Sequence, residues 1–257
     1  MLSHTSMRPD PPARLWSRRQ WLCAAAAVPL APRPAASRVL LVWLAGGMSH
    51  LDTFDMKPGA PAGIRSPFRE IPTSVPGIRI CEHLPRIARR MHKLTLVRSM
   101  TGADHHHQRA AQALAGACGA ACPELAWPWW AWDHHQGIAA ALRDPLLPRF
   151  DLEFSDLLDR LETSGELSST VVVATGEFGR SPTLNRQGGR DHHGRAWTAI
   201  LAGGGLAGGR VIGATDGWGM EPVEDPVTPE DLGATLAVLL GQPLPSQGRP
   251  VGKILRS

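Results

Sequence analysis

The 257-residue chain holds only four cysteines, no tyrosine and no long apolar run. Four cysteines at irregular spacing do not make a disulfide framework. Cys118 and Cys122, four apart in an Ala/Gly-rich stretch, suit either a disulfide or two small side chains on one helix face. The apolar run after Cys23 ends within about ten residues, well short of the ~20 that a membrane-spanning helix needs. Surplus charge is also missing from most of the chain. The formal net charge is +4, and residues 1–36 account for all of it through Arg8, Arg14, Arg18, Arg19 and Arg33 against Asp10. The remainder is neutral by the same count, so the folded part has no basic footprint for a phosphate backbone and nucleic acid is not an expected partner.

What is present begins with a signal-like segment over residues 1–36. Ser17-Arg18-Arg19-Gln20-Trp21-Leu22 resembles a twin-arginine motif, and an Ala-rich apolar run and small residues follow in the order of an export signal. Passage through the twin-arginine export machinery to the periplasm or the extracellular space is therefore expected. Residues 37–257 are expected to form one domain, and an apolar content of 43% is near the globular norm and sufficient for a buried core.

Periodicity predicts an α/β fold with a mainly parallel sheet flanked by helices. Val39-Leu40-Leu41-Val42-Trp43-Leu44 and Thr170-Val171-Val172-Val173-Ala174 read as buried strands, and residues 94–97 and 198–202 as two more. Leu84, Ile87, Ala88 and Met91 fall at helical spacing, as do Phe154, Leu157, Leu158 and Leu161. Thr228-Pro229-Glu230-Asp231 predicts a helix start with a capping box. Residues 52–80, rich in Pro, Gly and Ser, read as a surface excursion. The segment from Cys118 to Trp132 lacks periodicity and carries Trp127, Trp129, Trp130 and Trp132, which fits a sugar-stacking platform or a compact apolar plug.

The richest chemistry lies in GEFGRSPTLNRQGGRDHHGRAW, residues 176–197, directly after the second buried strand. It gathers Glu177, Asp191, His192 and His193 with Arg180, Arg190 and Arg195. In an open α/β sheet such a loop lies beyond the carboxyl end of its strand, where ligands bind. Carboxylates with imidazoles suit a divalent metal, and guanidiniums suit an oxyanion; acids simply paired with arginines would leave the same pattern. Three other clusters repeat the theme: His50, Asp52 and Asp55 after the first strand, Asp104 with His105, His106 and His107, and Trp132-Asp133-His134-His135. Asp133 and His135 would point the same way on an extended segment, with His134 facing elsewhere. Of three consecutive histidines, one or two at most can face one ion.

GGMSHLDTFDMKP, SMTGADHHH, WDHH, GEFGRSPTLN and GRDHHGRAW, in that order, resemble the landmarks of the bacterial domain of unknown function 1501 family, within the sulfatase-like branch of the alkaline phosphatase superfamily. The resemblance covers nearly everything from Val39 to Gly241. It implies an alkaline-phosphatase/sulfatase-like fold and a metal-dependent hydrolase of phosphate or sulfate esters, with a small anionic ester or a sulfated or phosphorylated glycan as substrate. It also implies a divalent metal (zinc, manganese or calcium) held by residues among His50, Asp52, Asp133, His135, Glu177, Asp191 and His192. Ser99 or Thr101 would be the nucleophile, and Arg180 a holder of non-bridging oxygens. The chain departs from that pattern at Phe178 and Ala45, where superfamily members place metal ligands. It departs also over residues 108–131, where a longer segment is expected, so the fold is expected to be incomplete there. The alternative is a degenerate, non-catalytic member acting in binding or at a surface.

Overall fold

In a computed structural model of the chain, residues 34–118 and 131–255 are described. The signal-like segment up to residue 33, most of the tryptophan-rich stretch and Cys122 lie outside them. Among the described residues no helix is long and apolar enough to cross a membrane.

The chain runs through β1 (Arg38–Trp43), a small hairpin of β2 (Glu70–Pro72) and β3 (Arg79–Cys81), α1 (Pro85–Arg90) and β4 (Leu94–Met100). Helix α2 (His107–Cys118) follows. Helix α3 (Ile138–Ala141) leads into α4 (Leu147–Thr163), and β5 (Thr170–Thr175) comes next. The short strands β6 (Gly179–Arg180) and β7 (His192–His193) precede β8 (Trp197–Gly203) and β9 (Arg210–Ile212). A second hairpin, β10 (Ala214–Thr215) with β11 (Pro222–Glu224), leads to α5 (Pro229–Leu239) and α6 (Gly252–Leu255).

The four strands expected from the apolar runs all enter one five-stranded sheet of order β1-β5-β8-β4-β9. Strands β1, β5, β4 and β9 share one direction, while β8 is antiparallel to both of its neighbours. The loop after β5 explains the reversal. It folds back on itself as the β6–β7 ladder, pairing Gly179 with His193 and Arg180 with His192. The chain therefore re-enters the sheet at the end it left. A parallel return would need a crossover of a dozen or more residues, usually a helix.

Successive strand residues point to opposite faces, and each face has its own cover. Leu40, Val42, Val172, Ala174 and Ile200 meet α1 and α4 through Ile87, Phe150, Phe154 and Leu158. Leu41, Val171, Val173, Ala199 and Leu201 meet α5 and α6 through Leu232, Leu236 and Ile254. The result is a sheet between two helical layers. Helix α5 starts as its sequence predicts: the Thr228 side chain accepts from the Asp231 amide at 3.2 Å, and the Asp231 carboxylate accepts from the Thr228 amide at 3.0 Å. The excursion of residues 52–80 is largely loop, braced by the β2–β3 hairpin.

Candidate metal centre

Because β1, β4 and β5 run in one direction, the loops that follow them emerge on one edge of the sheet, where side chains distant in sequence can meet. The loop after β5 brings Glu177 and His192, and the segment after β4 brings His107. Asp133 and His135 arrive on an extended stretch whose Trp132 amide bonds the Ala45 carbonyl past the end of β1, at 3.3 Å. That stretch is stitched to the β6–β7 loop by backbone bonds from Gly137 to Gln187, Ile138 to Gly188 and Arg190 to His134. Gly189 permits the approach: a β-carbon there would fall 2.0 Å from the His135 carbonyl carbon.

Three donor atoms converge. The Nε2 atoms of His135 and His192 are 3.1 Å apart, and each lies 3.1 Å from Oδ1 of Asp133. The Nε2 of His107 is 3.4 Å from Oδ2 of the same carboxylate, and His107, Asp133 and His192 offer ligand atoms all within 4.8 Å of one another. The outer nitrogens fix how these rings face inward. His192 Nδ1 donates to the His105 carbonyl at 2.8 Å, an acceptor that requires the proton on Nδ1. His135 Nδ1 faces Asp191 Oδ1 at 2.7 Å, and His107 Nδ1 faces Glu177 Oε1 at 2.6 Å. With Nδ1 protonated, each Nε2 of a neutral ring presents a lone pair. Metal-binding histidines typically carry such outer partners.

The surrounding electrostatics keep the ligand atoms in their binding forms. Burial would raise the Asp133 carboxyl, but the Arg180 hydrogen bond and charge, helped by His192 and His107, hold it down at about 2. Burial pushes the His192 imidazole below its ordinary value, and the Arg180 charge adds to that against the opposing hydrogen bonds to His105 and Asp133, which favours the neutral ring. The His135 hydrogen bond lowers Asp191. Glu177 is buried and accepts from the Gly46 amide and the Trp43 indole, both at 3.0 Å, which fixes the carboxylate that orients His107.

Asp133, His135, Glu177, Asp191 and His192 are thus brought together, Glu177 and Asp191 standing behind histidines rather than at the donor triangle. His107 joins them; the run of three histidines marked the place, but only the fold selects the member. His105 turns its Nδ1 to the Gly194 amide at 2.8 Å, and His106 is exposed. On β7, His193 points opposite to His192 and bonds the Met220 carbonyl at 2.7 Å. The His134 ring is turned away, its Nε2 buried without a hydrogen-bond partner among the described residues.

The other expected site residues have different surroundings. Asp52 forms a buried two-point ion pair with Arg190, at 2.7 and 3.3 Å. His50 is fully buried and bonds the Gly219 carbonyl at 2.9 Å through Nε2. Ser99 is also fully buried, and its hydroxyl donates to the Asp225 carbonyl at 2.5 Å. The Thr101 amide donates to the Val227 carbonyl at 2.8 Å, placing that residue beside the chain entering α5. Arg180 reaches the cluster, but its guanidinium is buried and spent on Asp133 and on the carbonyls of Gly46, Gly47 and Arg190. It anchors Asp133 rather than presenting a free fork to an oxyanion.

No curated protein matches the chain. Among solved structures, a phosphonate monoester hydrolase, SpPMH from Silicibacter pomeroyi, is similar to part of it, at 19% identity and a TM-score of 0.32. The likeness covers 46% of this chain, which spans 22% of that protein's length. The model of the family described as protein of unknown function (DUF1501) matches residues 36–126 and 122–246. The two stretches meet within the segment whose sequence reads as shortened. Matched over most of its length, the chain belongs to the DUF1501 family.

Proposed function

We propose that this chain is an exported metal-dependent hydrolase of the sulfatase and alkaline-phosphatase type, acting on phosphate or sulfate esters. One observation carries the reading: three acceptor atoms, from Asp133, His135 and His192, stand 3.1 Å from one another. Arg180 already bonds that Asp133 oxygen from one side, but the two imidazole lone pairs that face it at this spacing repel one another and favour a cation among them. A proton on His135 would satisfy one edge of the triangle, and a metal ion all three. Ligands at ~2.0–2.1 Å in a tetrahedral zinc site are separated by roughly 3.3 Å, close to the observed edge. His107 or a water would complete the set. Two or three imidazoles with one carboxylate suit zinc or manganese better than calcium, which favours all-oxygen sites.

When bound, the metal would supply a Lewis acid and a water acidified toward neutral pH. The chain's own groups do the rest. Asp191, the His105 carbonyl and Glu177 hold the three rings with Nε2 inward, and Arg180 keeps Asp133 ionised. With the Ser99 hydroxyl committed to Asp225, water rather than that serine is the nucleophile this arrangement favours.

Metal analysis of protein purified without a histidine tag, then loaded with zinc or manganese and dialysed, tests the reading together with turnover of aryl phosphates and aryl sulfates. One ion per chain is expected, lost with turnover in Asp133→Asn and His192→Ala. Absence of both metal and turnover in the wild type would refute the proposal. Metal binding without hydrolysis of either ester class would leave a non-catalytic metal-binding protein in its place.

A further inference from the structure

The excursion between β1 and β3 lines a second concave site, a cleft of about 490 Å³ that shares no residue with the metal centre. Part of its lining is apolar, from Met56, Pro58, Pro67 and Phe68. The remainder is mostly cationic: Lys57, Arg65, Arg69 and Arg79, with Glu70 as the acid among them and Ser66 as a neutral hydroxyl. Arg98 adjoins this wall, donating to the Arg79 carbonyl at 3.1 Å, while its Nε is buried without a hydrogen-bond partner among the described residues.

The acids at hand do not neutralise these cations. Asp55 serves both Lys57 at 3.0 Å and Arg98 at 3.7 Å. Glu82 pairs with Arg69 at 3.0 Å, and Glu70 stands 3.6 Å from Arg79. Arg65 has no ion-pair partner among the described residues. Five cations at and beside the cleft therefore share three carboxylates, a local excess of two positive charges in a domain whose whole count is neutral. The wall is also braced. The Ile64 carbonyl accepts from the buried Arg190 at 2.9 Å, and the Gly63 carbonyl from the Leu184 amide at 2.9 Å, so the chain beside Arg65 is held in place before any ligand arrives.

A solvated basic face needs neither concavity nor an apolar lining. A ligand pocket has both, with a few convergent polar groups to set specificity, and guanidiniums grip phosphate, sulfate or carboxylate with paired hydrogen bonds. We propose that this cleft binds a small organic anion, with Arg65 and Arg79 gripping its charged group and Met56 and Phe68 meeting its carbon frame. The site stands independently of the metal centre.

Titration calorimetry of the full chain with inorganic phosphate, inorganic sulfate, citrate, glucose 6-phosphate and uncharged glucose tests this, with thermal melts alongside. At least one anion should bind and raise Tm while glucose does neither. The pattern across phosphate, sulfate and carboxylate identifies the preferred group. Arg65→Ala/Arg79→Ala should weaken binding by about tenfold or more, and Lys253→Ala, a surface change elsewhere, should not. The double variant should keep its metal content, separating this site from the metal centre. Should it fail to fold, the exposed Arg65→Ala carries the test alone. Equal affinity in wild type and variant, or no anion bound below millimolar concentration, would overturn the proposal.

Discussion

Replacing Asp52 with asparagine separates a metal ligand from a structural ion pair. The Asp52 carboxylate is 1% exposed and Arg190 is wholly buried. Arg190 gives Asp52 two hydrogen bonds and spends its remaining protons on the carbonyls of Ile64, Ser181 and Pro182. Asparagine keeps the shape but removes the counter-charge, leaving a guanidinium with no water to turn to. Removing one partner of a buried pair costs about 3–5 kcal/mol, and a near-isosteric change belongs at the low end, about 3 kcal/mol. At about 2–4 °C per kcal/mol for a domain of this size, Tm should fall by roughly 6–12 °C in a calorimetric or circular-dichroism melt. Metal content of the folded variant should be unchanged, since Asp52 is not at the donor triangle. Asp133→Asn should lose metal and also lower the melt of metal-free protein, because the buried Arg180 loses its carboxylate partner. Loss of metal from Asp52→Asn at unchanged Tm would refute this reasoning and return Asp52 to the ligand set.

Acid should expose the cost of the buried His50. Burial holds its imidazole down to about 4, against the opposing pull of Asp55 and the Gly219 carbonyl and with smaller contributions from His193 and Arg190. The unfolded chain takes up this proton first, so the stability is complete above pH ~6.5 and is lost as pH falls toward 4, about 2 kcal/mol of it by pH 5. Urea unfolding at pH 7.5 and pH 5 should show that loss in the wild type and a smaller one in His50→Gln; identical losses would contradict the assignment. Gly189→Ala should force the β6–β7 loop away from the His135 backbone, which a β-carbon would meet at 2.0 Å. Metal affinity in a chelator competition should fall by about tenfold or more, as for loss of a group that positions ligands; undiminished affinity would show that the loop relaxes without moving Asp191 and His192.

Much of the fold is legible in the chain because it rests on local periodicity. Apolar runs at 39–44, 94–97, 170–174 and 198–202 became strands of one sheet, and Thr228 capped its helix through contacts within four residues. The direction of β8 was not legible, because it depends on whether the preceding loop crosses the sheet or folds back. The candidate site divides the same way. Recurring Asp-His adjacency located the clusters, and alternation along an extended segment separated Asp133 and His135 from His134. Nothing local marks Asp52 as the partner of Arg190, 138 residues away, or Ser99 as bonded to the Asp225 carbonyl. A carboxylate near a strand end has the same sequence signature whether it faces a metal or a guanidinium.

The sequence by itself determined where strands and helices form and that imidazoles and carboxylates would gather beyond the strand ends, since both follow from side-chain period and residue chemistry. Only the tertiary structure decided which of those groups meet. Selecting His107 from three adjacent histidines, setting Glu177 and Asp191 behind the rings, and withdrawing Asp52 and Ser99 into other contacts all require chain segments tens of residues apart to be packed on one edge of the sheet. Hydrogen bonds and charge then assign each side chain its partner at distances of about 3 Å, a scale on which sequence proximity carries no information.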